Sequence, residues 1–394
     1  MSEKPKNQKT ENPTNFEMIA KTMAGLEHVL AAELLQLGAQ NIKPLVRSVS
    51  FYGDKGFMYK ANLCLRTAIS ILKPIAFFKV RNEKELYKHI YNMDWKTIFD
   101  VDQTFSVKAV VNSSQFTHSQ YAALKVKDAI VDRFRDDLNK RPDVELDDPD
   151  IKINIHINKE KVNVSLDSSG APLFKRGYKS DVGEAPMNEV LAAGLILLSE
   201  WNGKGNFVDP MCGSGTILIE AAMIAMNIPA QFKRQNFGFM HWADFDDALF
   251  ELIKTSSMNK VKESYANIIG YDNHPGMCKM AQANVVNADM EEFIKVKRMD
   301  FFKSEKPEGP THILFNPPYG ERLAIGMDNF YKKIGDTLKQ HYPNTTAWFI
   351  TSDIDGIKKV GLRPSKKIPV KNGSLDCKLV RFDLYEGSKK TAKN

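Results

Sequence analysis

From Asn206 onward, short apolar runs alternate with stretches long enough to be helices: Asn206-Phe207-Val208, Ile268-Ile269-Gly270-Tyr271, His312 to Phe315, and Thr346 to Thr351. Runs this short and this apolar are buried on both faces, and their alternation with helices makes them strands of a parallel sheet. Near the end, Ile368 to Val370, Lys371-Asn372-Gly373-Ser374 and Leu379 to Tyr385 read as a β-hairpin, which adds a late antiparallel strand. Two of the runs lead into unusual strings. Val208 is followed by Asp209-Pro210-Met211-Cys212-Gly213-Ser214-Gly215-Thr216, and Phe315 by Asn316-Pro317-Pro318-Tyr319-Gly320.

Before this region the pattern differs. Residues 1–15 are polar and read as a disordered tail, as do 389–394. Residues 16–66 read as a small α+β unit. It has a strand at Phe16 to Ala20 and a helix at Gly25 to Leu37, with Leu26, Leu30, Leu34 and Leu37 at helical spacing. Strands follow at Ile42 to Tyr52 and Gly56 to Lys60, joined through Gly53-Asp54-Lys55. Residues 67–168 form a second unit. Its expected elements are a strand at Ile75 to Val80, a helix at Glu83 to Tyr91, a strand at Thr104 to Val111 and a helix at Ser119 to Asn139. That helix carries Lys125, Lys127, Arg133 and Arg135. Two alternating strands close the unit, Ile151 to Ile157 and Lys161 to Leu166, and predict an antiparallel sheet with one open face. A basic linker, 169–187, contains Leu173-Phe174-Lys175-Arg176-Gly177-Tyr178-Lys179. A helix from about Met187 to Ser199 opens the last domain, 188–388.

Composition excludes several classes. With 43% hydrophobic residues, 23 Phe and 4 Trp, the chain can bury a sizeable core. A net charge of +7 permits a polyanionic partner. No apolar run reaches membrane-spanning length and the N-terminus has no apolar signal core, so the expected location is the cytoplasm. Cys64, Cys212, Cys278 and Cys377 lie far apart without a CxxC pair, which predicts reduced thiols and no metal site.

The glycine turn after Val208 lets the backbone approach a ligand closely, with Asp209 at the strand end, where α/β sheets bind ligands. Free amides at the start of the following helix suit a carboxylate, and Asp209 suits an amino group. The pattern points to S-adenosylmethionine, with Asp209, Pro210, Cys212, Gly213, Gly215 and Thr216 forming the cradle. Asp272 and Asn273, at the next strand end, are expected at the ribose, and Asp300 and Phe301 at the adenine. Asn316, Pro317, Pro318 and Tyr319 suit transfer of methyl to an exocyclic base amine. The Asn316 side chain and the Pro317 carbonyl accept from the two N–H groups, the prolines bring no competing donor, and Tyr319 stacks on the base. No cysteine lies in this string, which argues against a covalent pyrimidine mechanism.

Four strings together carry a resemblance: Leu173 to Tyr178, Glu184-Ala185-Pro186-Met187-Asn188-Glu189, Asp209 to Thr216, and Asn316-Pro317-Pro318-Tyr319-Gly320-Glu321-Arg322. The chain resembles the bacterial THUMP-domain RNA guanine-N2 methyltransferases, in particular the 23S ribosomal RNA type, over about Phe16 to Tyr385. The resemblance implies a Rossmann-like class I methyltransferase domain with a mixed seven-stranded sheet. A ferredoxin-like subdomain and a THUMP α+β domain are expected before it, with a single methyltransferase domain and no obligate protein partner. Ribosomal RNA is the implied substrate and tRNA the alternative. An adenine-N6 enzyme or a catalytically silent RNA-binding assembly factor is a more distant reading. Phe174, Lys175, Arg176, Tyr178, Lys179 and Arg322 are the expected RNA contacts.

Overall fold

The computed structural model describes residues 14–113, 116, 118–179, 187–318 and 329–386. In the N-terminal half, β1 (Phe16–Lys21), α1 (Glu27–Leu37), β2 (Gln40–Leu45), β3 (Ser48–Gly53) and α2 (Lys55–Cys64) come first. They are followed by β4 (Ser70–Lys79), α3 (Glu83–Tyr91), β5 (Phe105–Asn112), α4 (Ser119–Leu138), β6 (Ile151–Asn158) and β7 (Lys161–Asp167). These strands make one seven-stranded sheet in the order β2-β3-β1-β4-β7-β6-β5. The long β4 pairs with β1 at one end and with β7 at the other, so the two expected units share a sheet.

Several details depart from the sequence reading. The expected strand Ile42 to Tyr52 is two, β2 and β3, paired antiparallel. Gly56 to Lys60 is helical, because the Asp54 side chain accepts the Phe57 amide at 2.7 Å and caps α2. The turn residues Gly53-Asp54-Lys55 thus start a helix instead of reversing a hairpin. The sheet is also not wholly antiparallel. β5 and β6 run parallel, since α4 carries the chain back to the starting end before β6 begins.

The C-terminal half contains α5 (Glu189–Leu198), β8 (Asn206–Asp209), α6 (Thr216–Ala225), α7 (Asp247–Met258), β9 (Asn267–Asp272), α8 (Pro275–Asn287) and β10 (Ile294–Arg298). Then come β11 (Thr311–Phe315), α9 (Phe330–His341), β12 (Thr346–Thr351), α10 (Ile354–Lys359), β13 (Lys366–Asn372) and β14 (Leu375–Asp383). The order is β10-β9-β8-β11-β12-β14-β13, parallel from β10 to β12 and antiparallel at β14 and β13. Alternate residues enter opposite cores. Phe207, Ile268 and Leu314 pack on one side, and Val208, Ile269 and Phe315 on the other. No helix among the described residues is long and apolar enough to cross a membrane.

The junction between the halves is buried. The segment between α6 and β9 sends Phe239, Phe245 and Phe250 around the ring of Tyr59 on α2, with centroids 4.4–5.9 Å apart. Ser168, at the end of the second unit, and Ser169, expected in the linker, are fully buried, and the Ser169 hydroxyl donates to Asn62 Oδ1 at 2.6 Å. Arg176 and Tyr178 of the basic string are internal too and Lys179 is engaged, which corrects the reading of these three as RNA contacts. Arg176 is 2% exposed. It donates to Glu220 Oε1 (3.3 Å), to Leu173 O (2.7 Å) and to Arg66 O (2.6 Å). Tyr178 is 1% exposed and donates to the same Glu220 oxygen at 3.2 Å. Lys179 is part-buried, donates to Met187 O at 2.7 Å and pairs with Glu189 at 3.1 Å. Arg176 and Lys179 are thus spent on two inward-facing acids, Glu220 and Glu189. Phe174 is half-buried, and only Lys175 of the named residues is exposed.

Removing one partner of a buried pair leaves the other charge without compensation. Arg176→Ala is therefore expected to lower stability by about 3–5 kcal/mol. Lys175→Ala, at an exposed neighbour, should stay within about 0.5 kcal/mol. Urea-unfolding midpoints of the two variants check this; equal midpoints would refute the assignment of Arg176 to the interior.

Candidate active site

The glycine turn is built by backbone conformation and by clamps from the next unit. Gly213 has φ +53° and Gly215 φ +80°, left-handed positions that favour glycine. A Cβ on Gly215 would also stand 3.3 Å from the Ala281 Cβ on α8. Asn284 of α8 donates to Ser214 O at 2.9 Å, and the Cys212 amide donates to Tyr271 O at 2.8 Å. Thr216 starts α6 and is buried, its hydroxyl 3.3 Å from that of Ser214. Pro210 is buried beside Asp209. Cys212 is a packed thiol. Burial raises it well above the ordinary range, with Asp209 and Asp272 adding to the shift, so it stays protonated.

Asp272 ties the turn to β9. Its Oδ2 accepts the Gly213 amide at 3.0 Å and its Oδ1 the His274 amide at 2.8 Å. Asn273 is exposed, and its carbonyl accepts from Arg298 Nε at 3.3 Å. Asp300 follows β10 and accepts the Phe302 amide at 3.0 Å, capping a short 3-10 turn at Phe301–Lys303. The Phe301 ring is core, with centroids 5.6 Å from Phe315 and 5.9 Å from Tyr342. This corrects any reading in which that side chain meets a cofactor; only its main chain is left for the role.

The strand order puts the candidates in a line. β10, β9, β8 and β11 are neighbours, and their C-terminal ends lead to Asp300, Asp272, Asp209 and Asn316 in that order. Three inter-strand steps of about 4.8 Å make an edge of roughly 15 Å. The chain turns one way from β8 to β9 and the other way to β11, so Asp209 and Asn316 flank the switch point where open α/β sheets bind ligands.

Electrostatics along this edge call for a cation. Asp209 is 1% exposed and accepts the Met211 amide at 3.2 Å. Burial pushes its carboxyl well above the ordinary carboxylate range, and the neighbouring Asp272 adds to the shift. Beside it, Asn316 Oδ1 is buried with no hydrogen-bond partner among the described residues. Pro317 is buried and Pro318 half-buried. Tyr319 and Arg322 lie outside the described residues. The sequence reading did not single out Arg66, Glu220 or Asn284, which hold the turn and the junction. The one signal present was an acid, Glu220, inside the otherwise apolar Ile217 to Ala222.

Fold and strand-end residues together define a Rossmann-like methyltransferase. A model of an RMKL-like methyltransferase domain matches residues 176–381, that of a THUMP domain 80–167, and that of an RlmL ferredoxin-like domain 17–72. The chain belongs to the RMKL-like methyltransferase family. It is 36% identical over 370 residues to slr0064 of Synechocystis sp., a candidate RNA methyltransferase, covering 93% of this chain and 96% of that one. SMU.472, a candidate methyltransferase crystallised with S-adenosylhomocysteine, superposes with a TM-score of 0.85 at 31% identity over 96% of this chain and all of that one. A protein from Listeria monocytogenes, described as a predicted N6-adenine-specific DNA methylase, superposes with a TM-score of 0.83 at 28% identity over 95% and 97% of the chains. The protein is thus an S-adenosylmethionine-dependent RNA methyltransferase with a THUMP domain. The residues present fit that cofactor: a buried acid with no basic partner among the described residues lies next to a turn in which glycines at 213 and 215 leave the backbone open to a ligand.

A carboxyl whose pKa is raised in the folded state costs stability as pH rises from its unfolded value through its folded one. Asp209→Asn should therefore stabilise the ligand-free protein at neutral pH and weaken S-adenosylmethionine binding. Wild-type affinity should rise with pH above the ordinary carboxylate range as Asp209 ionises, and the variant should lose that rise. Calorimetric titrations at several pH values, with melting curves, check both directions; a variant that binds like wild type at every pH would refute the role.

Proposed function

We propose that this enzyme methylates the exocyclic N2 amine of a guanosine in 23S ribosomal RNA, in the cytoplasm. The observation that carries the reading is Asn316 Oδ1 at the end of β11, buried and without a partner among the described residues. A buried carbonyl oxygen without a donor costs free energy, and a base amine is the donor this position lacks. The amine lone pair is delocalised into the ring. Accepting both N–H groups, one at Asn316 Oδ1 and one at Pro317 O, directs the lone pair toward the neighbouring cofactor edge and favours pyramidal nitrogen. Bound S-adenosylmethionine supplies an electrophilic methyl. The methyl would replace one proton on the nitrogen, and that proton would leave to solvent, while Asn316 Oδ1 and Pro317 O hold the amine in place. Proline gives the turn no amide to compete for these acceptors. Asp209 is assigned to the amino group of the cofactor, Asp272 to its ribose, and Asp300 with the Phe301 main chain to its adenine. The Gly320-Glu321-Arg322 extension favours guanine over adenine, and the N-terminal domains favour RNA over DNA.

Asn316→Ala should bind S-adenosylmethionine and RNA as wild type does, and lose about 10²-fold or more in kcat through lost positioning. Nucleoside mass spectrometry of fractionated rRNA and tRNA from a deletion strain reads the product. Missing N2-methylguanosine in 23S RNA, restored by wild type and not by the variant, is the expected result. A missing base in tRNA, or a missing N6-methyladenosine, would overturn the reading.

A further inference from the structure

The basic residues of α4 are largely neutralised within its own half of the molecule. Lys127 pairs with Asp128 (3.0 Å), Arg133 with Asp137 (2.9 Å) and Arg135 with Asp132 (3.2 Å). Asp132 and Asp136 also accept from Tyr87 and Tyr91. A surface already matched with carboxylates gains little from a phosphate.

The other side of the same sheet is different. Helices α3 and α4 cover the face that carries Phe78, Val162, Val164, Ile153 and Ile155, and Phe78 stacks on His89 of α3 at 4.6 Å. The opposite face carries Lys79, Lys108, Lys152 and Lys161. None of these four is in an ion pair among the described residues. Register places Lys79 directly opposite Lys161, a like-charge cross-strand pair that costs stability unless an anion sits across it. Phe77 is 60% exposed on this face, in register with Asn163, which is itself opposite His156. The acids on this side include Asp167, half-buried, and Glu17, exposed and engaged by a hydroxyl. Burial raises the Asp167 carboxyl to about 6 against the pull of Lys21, Lys152 and Arg234. The carboxylate of Glu17 accepts from the Ser50 hydroxyl at 2.8 Å.

We propose that single-stranded RNA lies on this helix-free face, with Lys79, Lys108, Lys152 and Lys161 against its phosphates and Phe77 stacked on a base. The inference rests on the chain's being an RNA methyltransferase and is independent of which base it modifies. Charge complementarity chooses the occupant: unpaired lysines in a field, around one exposed ring, match a strand whose bases are free to stack. A folded protein partner would instead be expected to bring carboxylates and an apolar counter-surface, for which Phe77 and Val110, 39% exposed, are the sole large apolar groups offered by these strands.

The test uses the full chain and a labelled single-stranded RNA of about 12 nucleotides, with the matching duplex as a second probe. Affinity is read by fluorescence anisotropy against salt. Lys79→Gln, Lys108→Gln and Lys161→Gln combined should weaken single-strand binding about tenfold or more at low salt. They should also flatten the log–log salt slope by about 2, given roughly 0.7 per phosphate contact. Phe77→Ala should weaken the single strand about tenfold with the slope unchanged, and affect the duplex little. Lys125→Gln, Lys127→Gln and Arg135→Gln combined should stay within about twofold. All three proteins should bind S-adenosylmethionine as wild type does, which checks folding. The inference fails if the α4 variant takes the loss while the sheet variant binds RNA normally. It also fails if the sheet variant loses binding to ribosomal proteins with naked-RNA affinity untouched. Because the probe is scored by binding alone, failure here is separate from failure of the guanine assignment, which mass spectrometry reads.

Discussion

The buried pair of Arg176 and Glu220 is the contact on which the working geometry depends. Glu220 lies on α6 one turn beyond Thr216, where the glycine turn becomes helix, so the acid is fixed to the cofactor cradle. Arg176 reaches it while donating to Leu173 O, in the segment after β7, and to Arg66 O, between α2 and β4 of the N-terminal half. Arg66 in turn donates to Ile228 O at 2.6 Å and to Met223 O at 3.2 Å, and its amide donates to Glu33 of α1 at 2.9 Å. Charges withdrawn from water tolerate few arrangements, because any shift that parts them leaves each one unsolvated. The rings of Phe239, Phe245 and Phe250 around Tyr59 add apolar burial to the same seam. An RNA held by one half, as proposed above, would thereby be presented to the other in a defined pose.

Along the sheet edge, chemistry and stability oppose each other. Asp209 is held in an apolar setting next to Asp272, an arrangement that disfavours its own charge. Without a ligand that is a cost. With a positively charged amino group and sulfonium nearby it becomes affinity, since a low dielectric strengthens attraction as much as it penalises isolation. The partnerless Asn316 oxygen follows the same logic for a neutral donor. Local rules of satisfaction are broken at the strand ends, where the proposed ligands would complete them.

Much of this was legible in the chain. Apolar runs after Asn206 gave the parallel strands, and the strings at Asp209 and Asn316 fell on strand ends because only there does the backbone leave the core. What was not legible came from long-range partners. Arg176, between two aromatics in a glycine-containing stretch, has the local pattern of a solvated basic loop; burial became visible only with Glu220, 44 residues on. Gly53-Asp54-Lys55 serves a hairpin or a cap equally well, and the Asp54–Phe57 hydrogen bond decided between them. Strand direction failed at β5 and β6 because alternation reports a half-buried face and says nothing about whether the crossing helix returns the chain before the next strand starts.

The arrangement also bears on how a base is brought to Asn316. A base inside a duplex must leave its stack before its amine can meet an acceptor at the end of β11, at a cost of a few kcal/mol. A face that grips phosphates and offers one ring in exchange for lost stacking favours strands already open, so part of that cost is met before the pocket is reached. Phosphate contacts carry no sequence information, and a lone phenylalanine reads only a π-face. Discrimination among bases therefore falls to the few acceptors around Asn316, where a misplaced donor would leave a buried oxygen unpaired. The separation is physical. Exposed, salt-sensitive charge gives reach and holding, while a small desolvated site gives choice, and the rigid seam between them lets the second act on what the first has captured.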